Sequence, residues 1–351
     1  MRLGSWLPYT LPLLLCTLAP AGEEHSFEVR IEDWDGAAGY GRRYVVSPEK
    51  ISITRLNDFG DAPKEVWSAA LNLDEQKLIA RCVDDIKIDK LEDKYVEAHI
   101  CDGLFMRFRF EKGGTEPRNI VVSNIIQMDL VKFCREINRV LPANQQLYYG
   151  LQPVPLERLA AKKVTKWAGQ IYLGGYKPKK VQALDHLPLK IKEKVDGHLA
   201  ARLGNELYSK LRFVDGEIVE KSKVPNAEQF QWKLHAYSLQ FELAYPEEGV
   251  AAYHAQLRLD EEGDVVEEIN LPNAKGAVEK CSIIPLKQAL VIARDVGVPL
   301  DELPVDIEIG YDKRADSLCW IVKTPMPLSR DHKQARSAVR IDAHLGKVLE
   351  K

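Results

Sequence analysis

The chain closes on AVRIDAHLGKVLEK (residues 338–351), and a rougher copy, AQLRLDEEGDVVEE, lies at 255–268. In each, an alternating strand runs into an Asp, a Gly follows three or four residues later, and a second strand begins. Upstream of each copy stands the same kind of helix. LPLKIKEKVDGHLAARLG (187–204) and IPLKQALVIARDVG (284–297) both open on an apolar residue followed by Pro-Leu-Lys and stop at Gly. Pro suits the start of a helix and Gly the residue just past its end, so both boundaries have a physical cause. Leu286, Ala289, Leu290, Ala293 and Val296 make the apolar stripe of the second helix.

Strands follow each helix. In the first unit LRFVDGEIVEK (211–221) reads as a hairpin turning at Asp215-Gly216, a pair suited to the positive φ of a tight turn. FQWKLHAYSLQFELAY and AYHAQLRLD come next, joined by PEEG; in the second unit VDIEIG, SLCWIVKTP and AVRIDA run in the same order. A helix followed by a few strands has one apolar sheet face to cover, and the helix covers it. The expected class is therefore α+β, with antiparallel sheets each backed by helices. Two tandem helix-then-strands units are placed at 185–275 and 276–351.

The second unit resembles a PepSY domain, a small α+β module of secreted and membrane-associated bacterial proteins. The resemblance rests on LKQALVIARDVG, on the tryptophan-bearing strand SLCWIVKTP, and on VRIDAHLGKVLE with its Asp-Ala, Gly and hydrophobic end. The 187–271 unit is a more distant relative, sharing order more than residues. Such a resemblance implies a non-catalytic module, found in propeptides of secreted metallopeptidases and in extracytoplasmic binding domains. The chain departs from the propeptide arrangement: it carries no HExxH, and its module stands at the C-terminus.

Residues 22–142 are expected to form a separate N-terminal α+β domain. FEVRI (27–31), KISITRL (50–56), LFMRFRF (104–110) and NIVVS (119–123) alternate as strands do. NLDEQKLIARCVDDI (72–86) has Asn72 and Glu75 in capping-box spacing. A second helix is expected over 127–140. Residues 143–184 read as a connector holding a basic amphipathic helix. Lys162, Lys163, Lys166 and Trp167 would give it a basic surface, solvated when the apolar stripe docks on a neighbour, or else a peripheral contact with an anionic membrane.

MRLGSWLPYTLPLLLCTLAPAGEE has the order of a secretory signal: Arg2, an apolar run from Leu11 to Leu18, and a small-residue APA at 19–21. Residues 1–21 are expected to be a signal peptide cleaved near Ala21, giving a periplasmic or extracellular protein. The rival reading is a lipoprotein anchored through Cys16, which the bulky Leu15 disfavours. The run is short for a membrane span and no later segment is expected to cross a bilayer. Cys82, Cys101, Cys134, Cys281 and Cys319 follow the leader in apolar surroundings, and a bridge among the first three is open. A formal charge of -3 gives no bulk attraction to nucleic acid.

There is no GxSxG and no Walker loop, and GAAGYG (36–41) lacks the strand-then-helix context of a dinucleotide fold. No two of the eight histidines have helical i,i+4 spacing. DEEGD (260–264) and EDWDG (32–36) offer carboxylates without a calcium ladder. No catalytic residue, metal or cofactor is expected. Two surfaces remain. Arg42, Arg43, Arg107 and Arg109 would form a basic patch if strands 41–46 and 104–110 are neighbours. Lys233, His235, His254, Gln256 and Arg258 would share one polar sheet face if strands 229–237 and 253–259 pair. The functional expectation is an exported, non-enzymatic binding protein contacting a protein or peptide in the envelope or outside the cell. Its alternatives are an inhibitor of secreted peptidases acting in trans, and an enzyme with a site in the N-terminal domain.

Overall fold

A computed structural model describes residues 26–35, 40–57, 62–99, 103–150, 153, 158, 159, 161, 175–230 and 234–350. The expected leader, the basic helix residues Lys162, Lys163, Lys166 and Trp167, the GAAGYG loop apart from its last two residues, Cys101 and Lys233 lie outside the described residues. The class is α+β, with antiparallel sheets and few helices. Among the described residues no helix is long and apolar enough to cross a membrane. Two compact units are present; Ser123 ends one and Asn124 begins the main body of the other, to which 95–99 also belongs.

In the first unit β1 (Phe27–Asp35), β2 (Tyr40–Val46), β3 (Lys50–Asn57), β4 (Lys64–Ala70), β6 (Leu104–Lys112) and β7 (Arg118–Ser123) lie in the order β4-β3-β2-β1-β6-β7, all antiparallel. The short β5 (Lys94–Val96) spans the boundary between the units. Alternation sorts the strands cleanly: Val29, Ile31, Tyr44, Val46, Ile51, Ile53 and Phe108 are fully buried on one face. Helix α1 (Leu73–Asp85) begins as its sequence requires. Asn72 Oδ1 accepts from the Asp74 and Glu75 amides, and Glu75 Oε2 accepts from the Asn72 amide at 2.8 Å. Its Ile79, Cys82 and Val83 are buried.

Helix α2 (Met128–Asn138) belongs to the second unit, not to the N-terminal domain in which the sequence places it. An amphipathic stripe says that a helix is covered, not by what. The contacts decide it. Gln127 Nε2 donates to Asp331 Oδ2 at 2.8 Å and the Met128 amide to His332 Nε2 at 3.2 Å. Arg135 also donates to the Glu302 carbonyl.

The rest of the second unit holds two helix-plus-sheet copies. In the first, β8 (Lys179–Val181) precedes α3 (Leu189–Ser209), which leads into β9 (Arg212–Ile218), β10 (Tyr237–Tyr245), β11 (Val250–Leu259) and β12 (Val265–Glu267). In the second, α4 (Leu286–Asp295) leads into β13 (Asp306–Asp312), β14 (Ser317–Lys323), β15 (Ala338–Asp342) and β16 (Val348–Glu350). Both helices are thus followed by a four-strand antiparallel meander, in the sheet orders β12-β11-β10-β9-β8 and β13-β14-β15-β16. Helix α3 presents Ile191, Val195, Leu199, Leu203 and Leu207, and α4 presents Leu286, Ala289, Leu290 and Ala293. Leu239, Phe241, Leu257, Trp320, Val322 and Ile341 of the sheets join them in one core. Each large side chain so withdrawn from water contributes about 1.5–3 kcal/mol before entropy is counted.

The prolines and glycines sit where the helices begin and break. The Pro188 carbonyl accepts from Ile191 and Lys192, and the Pro285 carbonyl from Gln288 and Ala289. Gly204 at φ +67° interrupts α3, which resumes for one short turn, while Gly297 at φ +100° ends α4 outright.

The closing turns correspond, the second being one residue longer. The Asp260 amide donates to the Asp264 carbonyl, and the Asp342 amide to that of Lys347. Asp260 Oδ1 accepts from the Asp264 amide, and Asp342 Oδ1 from those of His344 and Leu345. Gly263 and Gly346 are both left-handed, at φ +84° and +69°. Each copy also has a one-residue register shift just before the turn, between Arg258 and Leu259 and between Arg340 and Ile341. Each turn glycine rests on its own helix. A Cβ on Gly263 would lie 2.8 Å from Ile191 Cδ1, and one on Gly346 3.4 Å from Ile292 Cδ1.

Asp215-Gly216 is not a hairpin turn. Both residues lie inside β9, opposite Gln240 and Leu239, with a bulge where the register shifts between Gln240 and Phe241. The glycine serves a close approach, since a Cβ there would meet Leu239 Cδ2 at 2.9 Å.

Candidate functional site

The strand expected over 229–237 is not what pairs with β11: 227–230 is a short 3-10 turn, and β11 pairs with β10. His254, Gln256 and Arg258 therefore share the sheet's outer face. His235 stands just ahead of β10 at 3.4 Å from Arg258, and Lys233 lies outside the described residues. The β10–β11 register sets Ser238 opposite Arg258, Gln240 opposite Gln256 and Glu242 opposite His254. Because side chains alternate, these polar positions share one face while Leu239, Phe241, Ala255 and Leu257 fill the core on the other. Strand β9 extends the rows, with Glu217 beside Ser238 and Arg212 beside Glu242.

Two linked polar groups result. Arg258 Nη1 donates to Glu267 Oε2 at 2.5 Å and lies 3.4 Å from His235 Nε2. Its Nη2 donates to Gln256 Oε1 at 3.2 Å, and Gln256 Nε2 donates to Ser238 Oγ at 2.8 Å. Burial first, and the Arg258 guanidinium second, push the His235 imidazole below its ordinary pKa. In the second group Arg212 Nη2 donates to Glu242 Oε1 at 2.6 Å. His254 Nε2 stands 3.7 Å from Glu242 Oε2, beyond hydrogen-bond reach but within ion-pair distance when the ring is protonated. The His254 side chain is only 12% exposed.

Lys180, Arg212, Glu217, Ser238, Gln240, Glu242 and Glu267 were not singled out from the sequence. Ser238, Gln240 and Glu242 carry a signal, being the alternate polar positions of YSLQFELAY, but that signal needs the strand register to be read. His344 is more than the polar turn residue it resembles. Its Nδ1 hydrogen-bonds the Ser282 carbonyl at 2.6 Å and its Nε2 accepts from the Leu318 amide at 3.3 Å.

Other expectations meet different geometry. Strands β2 and β6 flank β1 without touching each other, so the patch of Arg42, Arg43, Arg107 and Arg109 does not form. Glu32 on β1 lies between Arg43 at 2.8 Å and Arg107 at 3.3 Å and offsets one of their two charges, while alternation turns Arg42 to the opposite face. In DEEGD, Asp264 is bound by Lys194 Nζ at 2.5 Å, and Asp260 Oδ1 is taken by a backbone amide. Cys281 and Cys319 are buried thiols, and burial pushes Cys319 up to about 11. Among the described residues no three His, Cys, Asp or Glu side chains converge as a metal site would require.

What the face can do is hydrogen-bond: it offers guanidinium, imidazole, amide and hydroxyl groups at strand spacing. Compared with models of known protein families and with curated proteins, the chain matches none.

Proposed function

We infer that the chain is an exported, non-enzymatic protein of bacterial envelope type that uses its PepSY-like modules to bind a protein or peptide. The observation that carries this reading is the duplicated helix-and-meander scaffold, whose first copy holds His254, Gln256 and Arg258 on a sheet face away from its core, with His235 beside Arg258. A rigid sheet fixes such groups at regular spacing, which suits recognition of an extended chain.

The test is capture from envelope extract with the full chain and two variants, His254→Leu and Arg258→Ala. A specific partner is expected at physiological salt. Each variant should weaken its capture by at least about five-fold, the loss of a contact worth about 1 kcal/mol. A cooperative unfolding transition for each variant shows that it folds. No specific partner at any salt, or capture indifferent to both variants, contradicts the assignment.

A further inference from the structure

The two copies differ at one edge. In the first, β8 adds a fifth strand to the free side of β9, pairing Lys179 with Ile218, Lys180 with Glu217 and Val181 with Gly216. Lys180 binds Glu217 outside, and Val181 is fully buried inside. In the second copy β13 stands where β9 does, and among the described residues no strand pairs with its outer edge. The chain explains why. The segment that would supply the strand, just ahead of α4, is drawn onto α3 instead: the Ala274 and Lys275 amides both donate to the Arg202 carbonyl, at 3.0 and 3.2 Å. Beyond it, the Ile284 amide donates to Ala343 at 2.6 Å.

The geometry points to the outer edge of β13 as the docking site for an extended peptide strand that adds antiparallel, as β8 does in the first copy. This deepens the binding reading and rests on it. Matching the ladders fixes the occupant's chemistry. Tyr237 of β10 pairs with Ile218 as Trp320 of β14 pairs with Ile309, so Glu217 corresponds to Glu308 and Gly216 to Ile307. A strand seated like β8 would place a lysine opposite Glu308 and an apolar residue opposite Ile307. Glu308 is bound on the sheet side by Lys323 at 2.9 Å, and a carboxylate can accept from a second cation. Strand β13 reads DIEIGYD, three acids and no base. A two-fold pairing of two copies centred on Ile309 would set Asp306 against Asp312, which is repulsive. A basic, alternating strand is complementary where a second copy is not.

The probe is a synthetic peptide of residues 176–183, YKPKKVQA, added to the full chain and followed by residue-resolved hydrogen exchange. Slowed exchange across Ile307–Tyr311 is expected. The acidic counterpart YEPEEVQA should bind at least about five-fold more weakly, as expected of a reversed cross-strand charge pair. Glu308→Lys in the protein should reverse that preference, with a retained cooperative denaturation transition showing that it folds. Protection confined to β9, equal effects of the two peptides, or a dimer joined through β13 without peptide would overturn the proposal. Because the general reading is tested at the face bearing His254 and Arg258, a silent β13 edge alongside a captured partner rejects this inference alone.

Discussion

His344 keeps both ring nitrogens in use only while it is neutral, one donating to Ser282 and the other accepting from Leu318. Burial pushes its pKa below the ordinary value. The unfolded chain therefore binds the proton more readily, at about 6.5. Stability from this group is complete above that pH and is lost as the pH falls from there towards the folded-state value. His344→Ala should cost about 1–3 kcal/mol at pH 8, where it strands the Leu318 amide, and less at pH 5. Denaturant unfolding of both proteins at the two pH values checks this, and a pH-independent difference would contradict it. From sequence this residue is indistinguishable from any polar turn side chain, because its partners lie 26 and 62 positions away. A separation of 30 positions likewise hid the pairing of Arg212 with Glu242 beside the foreseen His254. The Arg258 and Gln256 face was foreseeable from alternation along one strand.

The elements were most readable where a residue type has a single backbone consequence. Proline and glycine at the ends of 187–204 and 284–297 mark where helices start and break, and the Asn72–Glu75 spacing marks another start. Asp215-Gly216 misled because the pair suits a bulge as well as a tight turn. Strand β4 gave no signal because most of both its faces is exposed, which erases alternation. The two turn glycines allow a graded test. Both Gly263→Ala and Gly346→Ala force a non-glycine residue into the left-handed region, costing roughly 1–2 kcal/mol. Gly263→Ala should cost more, since its Cβ would press on Ile191 at 2.8 Å whereas Gly346 has 3.4 Å to Ile292. The order of their urea midpoints checks this; a reversed order would mean that the turns do not seat on the helices as described.

At the scale of the whole molecule, duplication explains more than any single motif. One helix covers one sheet face, and the two copies pool their apolar sides into a single core. Leu199→Ala on α3 should therefore cost about 2–5 kcal/mol, seen as one cooperative loss of both copies in unfolding monitored at Trp320 and by far-ultraviolet circular dichroism. Separate transitions would show that the cores are not shared. The allegiance of α2 to this unit was unreadable from sequence, because its stripe names no partner. The central claim is that 187–350 is one scaffold built twice with equivalent closing turns. Backbone NMR of the full chain tests it most directly, through cross-strand contacts at the two turns. The prediction is an Asp260–Asp264 and an Asp342–Lys347 contact, each preceded by the same one-residue offset, Arg258 facing Glu267 and Arg340 facing Glu350. A tight hairpin at Asp215-Gly216, or an offset present in one copy and missing from the other, would contradict it.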